Sequence, residues 1–181
     1  GSFGSVIQNC KIFKCMGCGI VRLDEKDSFD QKNYESSIYR EEMGQGLSVG
    51  EFFDNADPIQ IHHLDAFWPF SFRNKIVADV GCGAGSFIDH ISGLTSKIIA
   101  IEPTQMYHES LTSRGYQVFS YAAEASVELE NSIDVIVSFQ VIEHVEKPIE
   151  FLKEIYSLLK KGGKLILATP NHDDILMKIL P

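Results

Sequence analysis

The stretch Asp79-Val-Gly81-Cys82-Gly83-Ala-Gly85 joins residue types that seldom meet without a chemical reason. Three glycines at alternate positions let a backbone turn sharply and let a ligand approach without meeting a Cβ. A helix starting behind them would aim unpaired N–H groups at that ligand. Asp79 stands at the end of an apolar run, where a carboxylate is normally avoided. Glu102 closes the next apolar run, where an acid can accept hydrogen bonds from both hydroxyls of a ribose. The glycine turn alone is weak evidence, because dinucleotide-binding proteins carry a similar one. The two acids sharpen it.

Two further groups have chemical potential. Glu143-His144 follows the apolar run Ile133–Phe139. His144 would serve as a general base there, or as a ligand together with Glu143. The alternative is that the pair caps or orients the loop. His172 would face the same region or stay a solvated loop residue, and His62-His63 reads as a solvated helix edge. The second group is Cys10, Cys15 and Cys18. Cys15-x-x-Cys18-Gly19 has the form of a knuckle whose tight turn brings two thiolates onto one zinc. Zinc takes about four ligands, so Cys10, at an unusual spacing, is the weaker third. A redox pair is disfavoured, since no thioredoxin-like strand and helix flank the motif. Cys82 fits its turn because it is small, and is not read as a nucleophile.

These residues need a scaffold, and the pattern from Lys75 onward supplies one. Strands are expected at Ile76–Val80, Lys97–Ile101, Tyr116–Phe119, Ile133–Phe139 and Lys164–Ala168. Helices are expected at Ser86–Leu94, about Thr104–Arg114, and Pro148–Lys160, the last stopped by Gly162-Gly163. Strands alternating with helices predict an α/β fold, a doubly wound and mostly parallel sheet. Upstream, Pro58 to about Phe70 reads as an amphipathic helix through Ile61, Leu64, Phe67 and Trp68. Three regions follow: a cysteine-containing segment at 1–30, a helical or lid segment at 31–74, and a core at 75–181. The opening Gly1-Ser2 resembles the remnant of tag cleavage, and the end at Pro181 suggests a fold truncated after its fifth strand.

Composition narrows the partners. A content of 44% hydrophobic and 23% charged residues is that of an ordinary globular chain. No apolar run is long enough to cross a bilayer, so no membrane partner is expected and the expected compartment is the cytoplasm. Thiols stay reduced there, and no disulfide framework is expected. The net charge of −9 argues against nucleic acid as main partner while leaving room for a local basic patch. A small molecule fits better. Composition does not define the oligomeric state.

The ordered set of motifs resembles the class I S-adenosylmethionine-dependent methyltransferases. Asp79-x-Gly81-x-Gly83-x-Gly85 matches that family's first motif and Glu102 its ribose-binding acid. Ile133–Val145, with Phe139-Gln140 and Glu143-His144, is similar to its fourth-strand motif, and Leu158–Asn171 to its fifth-strand segment. The resemblance implies a Rossmann-like fold and S-adenosyl-L-methionine as methyl donor. It implies that Gly81, Cys82 and Gly83 pass under the donor, with Gly85 opening the helix. Asp79 would face the methionine amino group, Glu102 and Pro103 the ribose, and Phe139 and Gln140 the rim of the pocket. The family's adenine-binding aspartate is missing, so backbone near Ala123, or Glu124, would substitute. Relatives that bind a divalent metal use Glu-x-x-Glu-His, and Gln140 stands where the first acid would be. Tyr34 and Tyr39 fall in a segment that closes over the donor in such enzymes, or simply packs there. The acceptor implied is a small metabolite, a sugar nucleotide first and a quinone-type molecule second. In the sugar-acting relatives the cysteine knuckle is the second of two, which would make zinc a feature of the longer protein. A donor-binding or interaction domain without catalysis is the reading from another class.

Overall fold

The computed structural model describes residues 12–23, 48–67 and 70–171. Near the N-terminus, β1 (Ile12–Lys14) and β2 (Val21–Leu23) form an antiparallel hairpin. Helix α1 (Val49–Ala66) follows. It starts where Ser48 and Glu51 form a reciprocal cap: Ser48 Oγ accepts from the Glu51 N–H, and Glu51 Oε2 accepts from the Ser48 N–H at 3.1 Å. That cap begins the helix well before Pro58, which lies inside it rather than at its first position. Trp68, expected on its apolar side, lies outside the described residues.

The remaining elements alternate. They are β3 (Ile76–Val80), α2 (Ser86–Ile91), β4 (Lys97–Ile101), α3 (His108–Ser113), β5 (Gln117–Phe119), α4 (Ala122–Leu129), β6 (Ile133–Phe139), α5 (Pro148–Leu158) and β7 (Leu159–Ala168). All five core strands pair in parallel in the order β5-β4-β3-β6-β7. Parallel strands covered on both faces read as nearly unbroken apolar runs, as β3, β4 and β6 do.

Alternation sorts each strand between two cores. Val77, Ile98, Ala100, Val135 and Val137 pack under α2 and α3 with Phe87, Ile88, Ile91 and Leu111. Ala78, Val80, Ile99, Ile101 and Ile136 pack under α4 and α5 with Ala125, Ile155 and Leu158, joined out of alternation by Ile133, where the β6–β7 register is irregular. Each fully buried isoleucine or leucine contributes about 1.5–3 kcal/mol, and most of those named have no accessible surface. The chain winds outward from β3 to β5, then returns to the other side of β3 with β6 and β7. The crevice between β3 and β6 is therefore the switch point, where doubly wound sheets bind ligands beyond the strands' carboxyl ends.

Three expectations are corrected. The segment from 104 to 114 is a 3₁₀ turn at Gln105–Tyr107 followed by the short α3. Helix α5 ends at Leu158, and Gly162-Gly163 lie inside β7 rather than stopping a helix. The sequence reading also placed no helix at 122–129, where α4 forms. Glu124 Oε2 accepts from the Ser120 N–H at 2.8 Å at its start, and Ala122 and Ala125 bury against the sheet. The expected helix Asp174–Leu180 lies outside the described residues.

Candidate functional site

The glycine turn leaves β3 at Gly81. Gly81, Gly83 and Gly85 have φ of 81°, 56° and 94°, which side chains other than glycine rarely adopt. Space is also missing: a Cβ on Gly81 would meet Val141 Cγ2 at 2.3 Å, and one on Gly83 the Phe52 ring at 2.5 Å. The Gly81 N–H donates to the Ile101 carbonyl at 2.8 Å, carrying the β3–β4 pairing into the turn. Glu102 then grips both sides. Its Oε2 accepts from the Gly83 N–H at 2.7 Å and its Oε1 from the Thr104 N–H at 2.9 Å. Behind the turn, the Arg114 guanidinium donates to the Ala84 carbonyl and, at 2.5 Å, to Asp89 Oδ2. It lies 5.2 Å and 5.3 Å from the Phe53 and Tyr116 ring centroids. The Tyr116 hydroxyl also donates to Asp89; burial and that bond push its pKa up to about 12.

Asp79 and Glu102 are each only 3% exposed. By alternation both share the sheet face of Val77 and Ala100. Burial, and then repulsion from Glu102, pushes the Asp79 carboxyl up to about 8. No hydrogen bond from a described residue reaches that carboxyl. The Cys82 thiol is raised well above its ordinary value, chiefly by burial, and so stays protonated.

At the carboxyl ends of β3, β4 and β6 opens a cavity of about 790 Å³, inside the usual range for small-molecule sites. Gly81, Gly83, Glu102, Pro103, Ala123, Glu124, Phe139, Gln140 and His144, all singled out from the sequence, line it. Asp79, Cys82, Gly85 and Glu143 do not. Glu124 is occupied by its bond to the Ser120 N–H, so the backbone of Ala122 and Ala123 is the polar surface α4 presents there.

The segment after β6 is held to β7. Gln140, with φ of 55°, donates its N–H to the Ala168 carbonyl at 2.8 Å. Thr169 Oγ1 donates to Glu143 Oε2 at 3.0 Å. That bond ties the loop after β6 to the segment after β7. Burial holds the His144 imidazole below the usual histidine range, with Glu143 opposing, so its neutral form prevails at pH 7.

His63 departs from the sequence reading of a solvated edge. It is half-buried and stacks on Phe139, with centroids 4.4 Å apart; Phe67 stacks on the same ring at 5.6 Å. Its Nδ1 lies 3.0 Å from Gln60 Oε1, and burial, then His62, lowers its pKa. Two adjacent histidines on an amphipathic helix carried no signal of this, because Phe139 lies 76 residues away in sequence. Phe52, which no motif marked, roofs Gly83 and lines the cavity.

Cys15 and Cys18 are exposed thiols in the turn of the β1–β2 hairpin, closed by the Gly19 N–H to Cys15 carbonyl bond at 2.9 Å. Cys10, Tyr34, Tyr39 and His172 lie outside the described residues. Among the described residues no group of three or more His, Cys, Asp or Glu side chains could hold a metal. Two thiols are half of a zinc set. No helix among them is long and apolar enough to cross a membrane.

Comparison with known proteins bears on this geometry. A family described as methyltransferase domain matches residues 55–180. The ubiquinone biosynthesis O-methyltransferase of Parvibaculum lavamentivorans is 30% identical over 115 residues, 60% of this chain and 46% of that protein. The tRNA U34 carboxymethyltransferase of Colwellia psychrerythraea is 28% identical over 134 residues, 62% and 41% of the two chains. Among solved structures, a SAM-dependent methyltransferase from Archaeoglobus fulgidus superposes with a TM-score of 0.58 at 22% identity, covering 71% of this chain and 60% of that one. One from Aquifex aeolicus gives 0.51 at 21%, covering 66% and 69%. Those two speak for the fold. The chain spans about half the length of the curated relatives it matches, 46% for the first of them.

Proposed function

This chain belongs to the methyltransferase-domain family, and from that premise we propose that it binds S-adenosylmethionine in the switch-point cavity and passes its methyl group to a small-molecule acceptor. One observation carries the reading. A buried acid, Asp79, its pKa raised by burial and by Glu102, stands beside a glycine turn whose Cβ positions are closed, next to a cavity walled by carboxylates. Such a site suits a ligand that brings positive charge and needs close backbone approach.

When bound, the donor supplies a methyl on a positively charged sulfur; displacement by an acceptor lone pair leaves a neutral thioether. The chain's residues do the rest. Asp79 ionises against the donor's ammonium group. Glu102, already ordered by Gly83 and Thr104, accepts the ribose hydroxyls. Ala122 and Ala123 meet the adenine through their backbone, replacing the absent aspartate. Phe139 and Gln140 would line the donor pocket beyond β6, and neutral His144 would take the proton released by a hydroxyl acceptor.

Sugar nucleotides are the first acceptor class, from the motif set and the knuckle-like hairpin. Quinone-type acceptors are the second, favoured by the similarity to ubiquinone O-methyltransferases. In the same reading the hairpin contributes two zinc ligands in a longer protein, and zinc analysis of that protein tests it. Calorimetric titration with S-adenosylmethionine and S-adenosylhomocysteine tests donor binding. If neither binds at millimolar concentration the reading fails. Binding without methylation of any acceptor by the longer protein would leave a donor-binding domain.

A further inference from the structure

A second concave site lies at the opposite end of the sheet, and nothing in the methyl-transfer reading uses it. Along β6 and β7 the register moves two steps, from Ile133 to Val135, while β7 advances five, from Leu159 to Lys164. The extra residues loop out as a bulge, a form proteins use to re-aim side chains. Gly162, with φ of 81°, makes the turn. Gly163 fits where a Cβ would meet the Lys160 carbonyl oxygen at 2.9 Å and that of Ile133 at 3.1 Å. The result crowds Lys160, Lys161 and Lys164 around a cavity of about 140 Å³, with Lys75 entering from the residue before β3.

The charges there do not cancel. Among the described residues Asp134 is the only acid in the lining. Its Oδ2 accepts from the Ile76 N–H at 2.8 Å and its Oδ1 from Lys160 Nζ at 3.0 Å. Asp134 therefore pairs with Lys160, and its charge also acts on the nearby Lys75. Lys75, Lys161 and Lys164 form no ion pair with any described residue. Lys164 Nζ sits 5.8 Å from the Phe70 ring centroid, which restrains one of the three. In a chain of net charge −9, three unpaired ammonium groups converging on one hollow are a local inversion of sign.

We propose that this hollow binds a phosphate-sized oxyanion, free or as the phosphoryl group of a small metabolite. The donor cavity opens beyond the far end of β3, five residues or roughly 17 Å away. The anion is thus a second ligand and not part of the reacting pair. The hollow's size and the overall negative charge favour a single phosphoryl group over a nucleic-acid backbone, which needs an extended basic track.

The test is calorimetric titration of the protein with inorganic phosphate, with phosphate esters, and with a short RNA, at low and moderate salt. Saturable phosphate binding is expected, weakened about tenfold in Lys161→Gln/Lys164→Gln. S-adenosylhomocysteine binding and the melting temperature should stay unchanged in that variant, because both side chains are exposed. Three results would each overturn the proposal: no saturation by phosphate or its esters, equal binding by the double variant, or RNA bound where phosphate is not.

Discussion

Among the described residues, the large cavity at the carboxyl ends of the strands is walled by Glu102, Glu124, Glu146, Glu150 and Glu154, against the one lysine Lys147. At the amino ends the small cavity is walled, among the same residues, by Lys75, Lys160, Lys161 and Lys164, against the one aspartate Asp134. In each place the minority charge is already paired, Lys147 with Glu150 at 3.4 Å and Asp134 with Lys160 at 3.0 Å. What remains is an acidic mouth and a basic one on the same strands. The acidic end has a buried base, Asp79 and Glu102 being almost without solvent, beneath a rim on which Glu124, Glu146 and Glu150 are exposed. The basic end is built on long side chains, of which Lys161 and Lys164 are exposed. A buried carboxylate acts on a ligand through desolvation and fixed geometry; exposed lysines act through screened charge. Changes at the first end should therefore be large and geometric, and at the second modest and salt-dependent.

Glu102→Ala makes the strongest test. It removes the expected ribose contacts and the tie between Gly83 and Thr104. Donor affinity should fall on the order of a thousandfold, with thermal unfolding monitored to separate this from loss of the fold. Donor affinity within a fewfold of the parent would break the assignment of the acidic end. His144→Gln should lower the methylation rate about a hundredfold. In the parent, activity should fall as pH drops through a value below the ordinary histidine range, and the variant should lose that acid limb. A retained limb would move the base elsewhere.

Asp79→Asn ranks next, with a sign set by its raised pKa. The free protein holds this proton up to about pH 8 and the unfolded chain only to 3.8, so stability declines as pH rises between those values. A cationic donor requires the ionised form, so parent affinity should increase from pH 6 to about 8 with release of a proton. The variant should bind with little pH dependence, about tenfold more weakly at pH 8, and its free form should be the more stable there. Equal pH dependence in both proteins would remove Asp79 from the site. Asp134→Asn, at the basic end, should have the smallest effect. Losing the Lys160 pair costs about 1 kcal/mol, measured by denaturant unfolding, while phosphate binding should improve about threefold as another lysine is freed. The cost should vanish at low pH. Asp134 is held below the ordinary carboxylate range, first by the Ile76 N–H, so its contribution is lost as pH falls through that lowered value.

The acidic end was largely legible beforehand. Its glycines, Asp79, Glu102 and the Phe139-Gln140 rim sit in or beside apolar runs, and a turn needing positive φ selects glycine locally. The basic end was not. Lys160-Lys161 and Gly162-Gly163 read as an ordinary helix terminus, because a local window cannot see that β7 must pair with Ile133 and Val135. Helix α4 escaped notice for a similar reason. Ala122–Leu129 is short, with a narrow apolar face, and its stability comes from Ala122 and Ala125 against the sheet.

Periodicity, turn chemistry and buried acids are properties of neighbouring residues, and they determined the α/β class, the strand identities and most of the residues that line the large cavity. Which side chains meet across the chain depends on strand order and register, and these emerge only when distant segments pack. Tertiary structure alone therefore placed His63 on Phe139 and Phe52 over Gly83. It alone tied Glu143 to Thr169, and it gathered four lysines from two separate segments into one hollow.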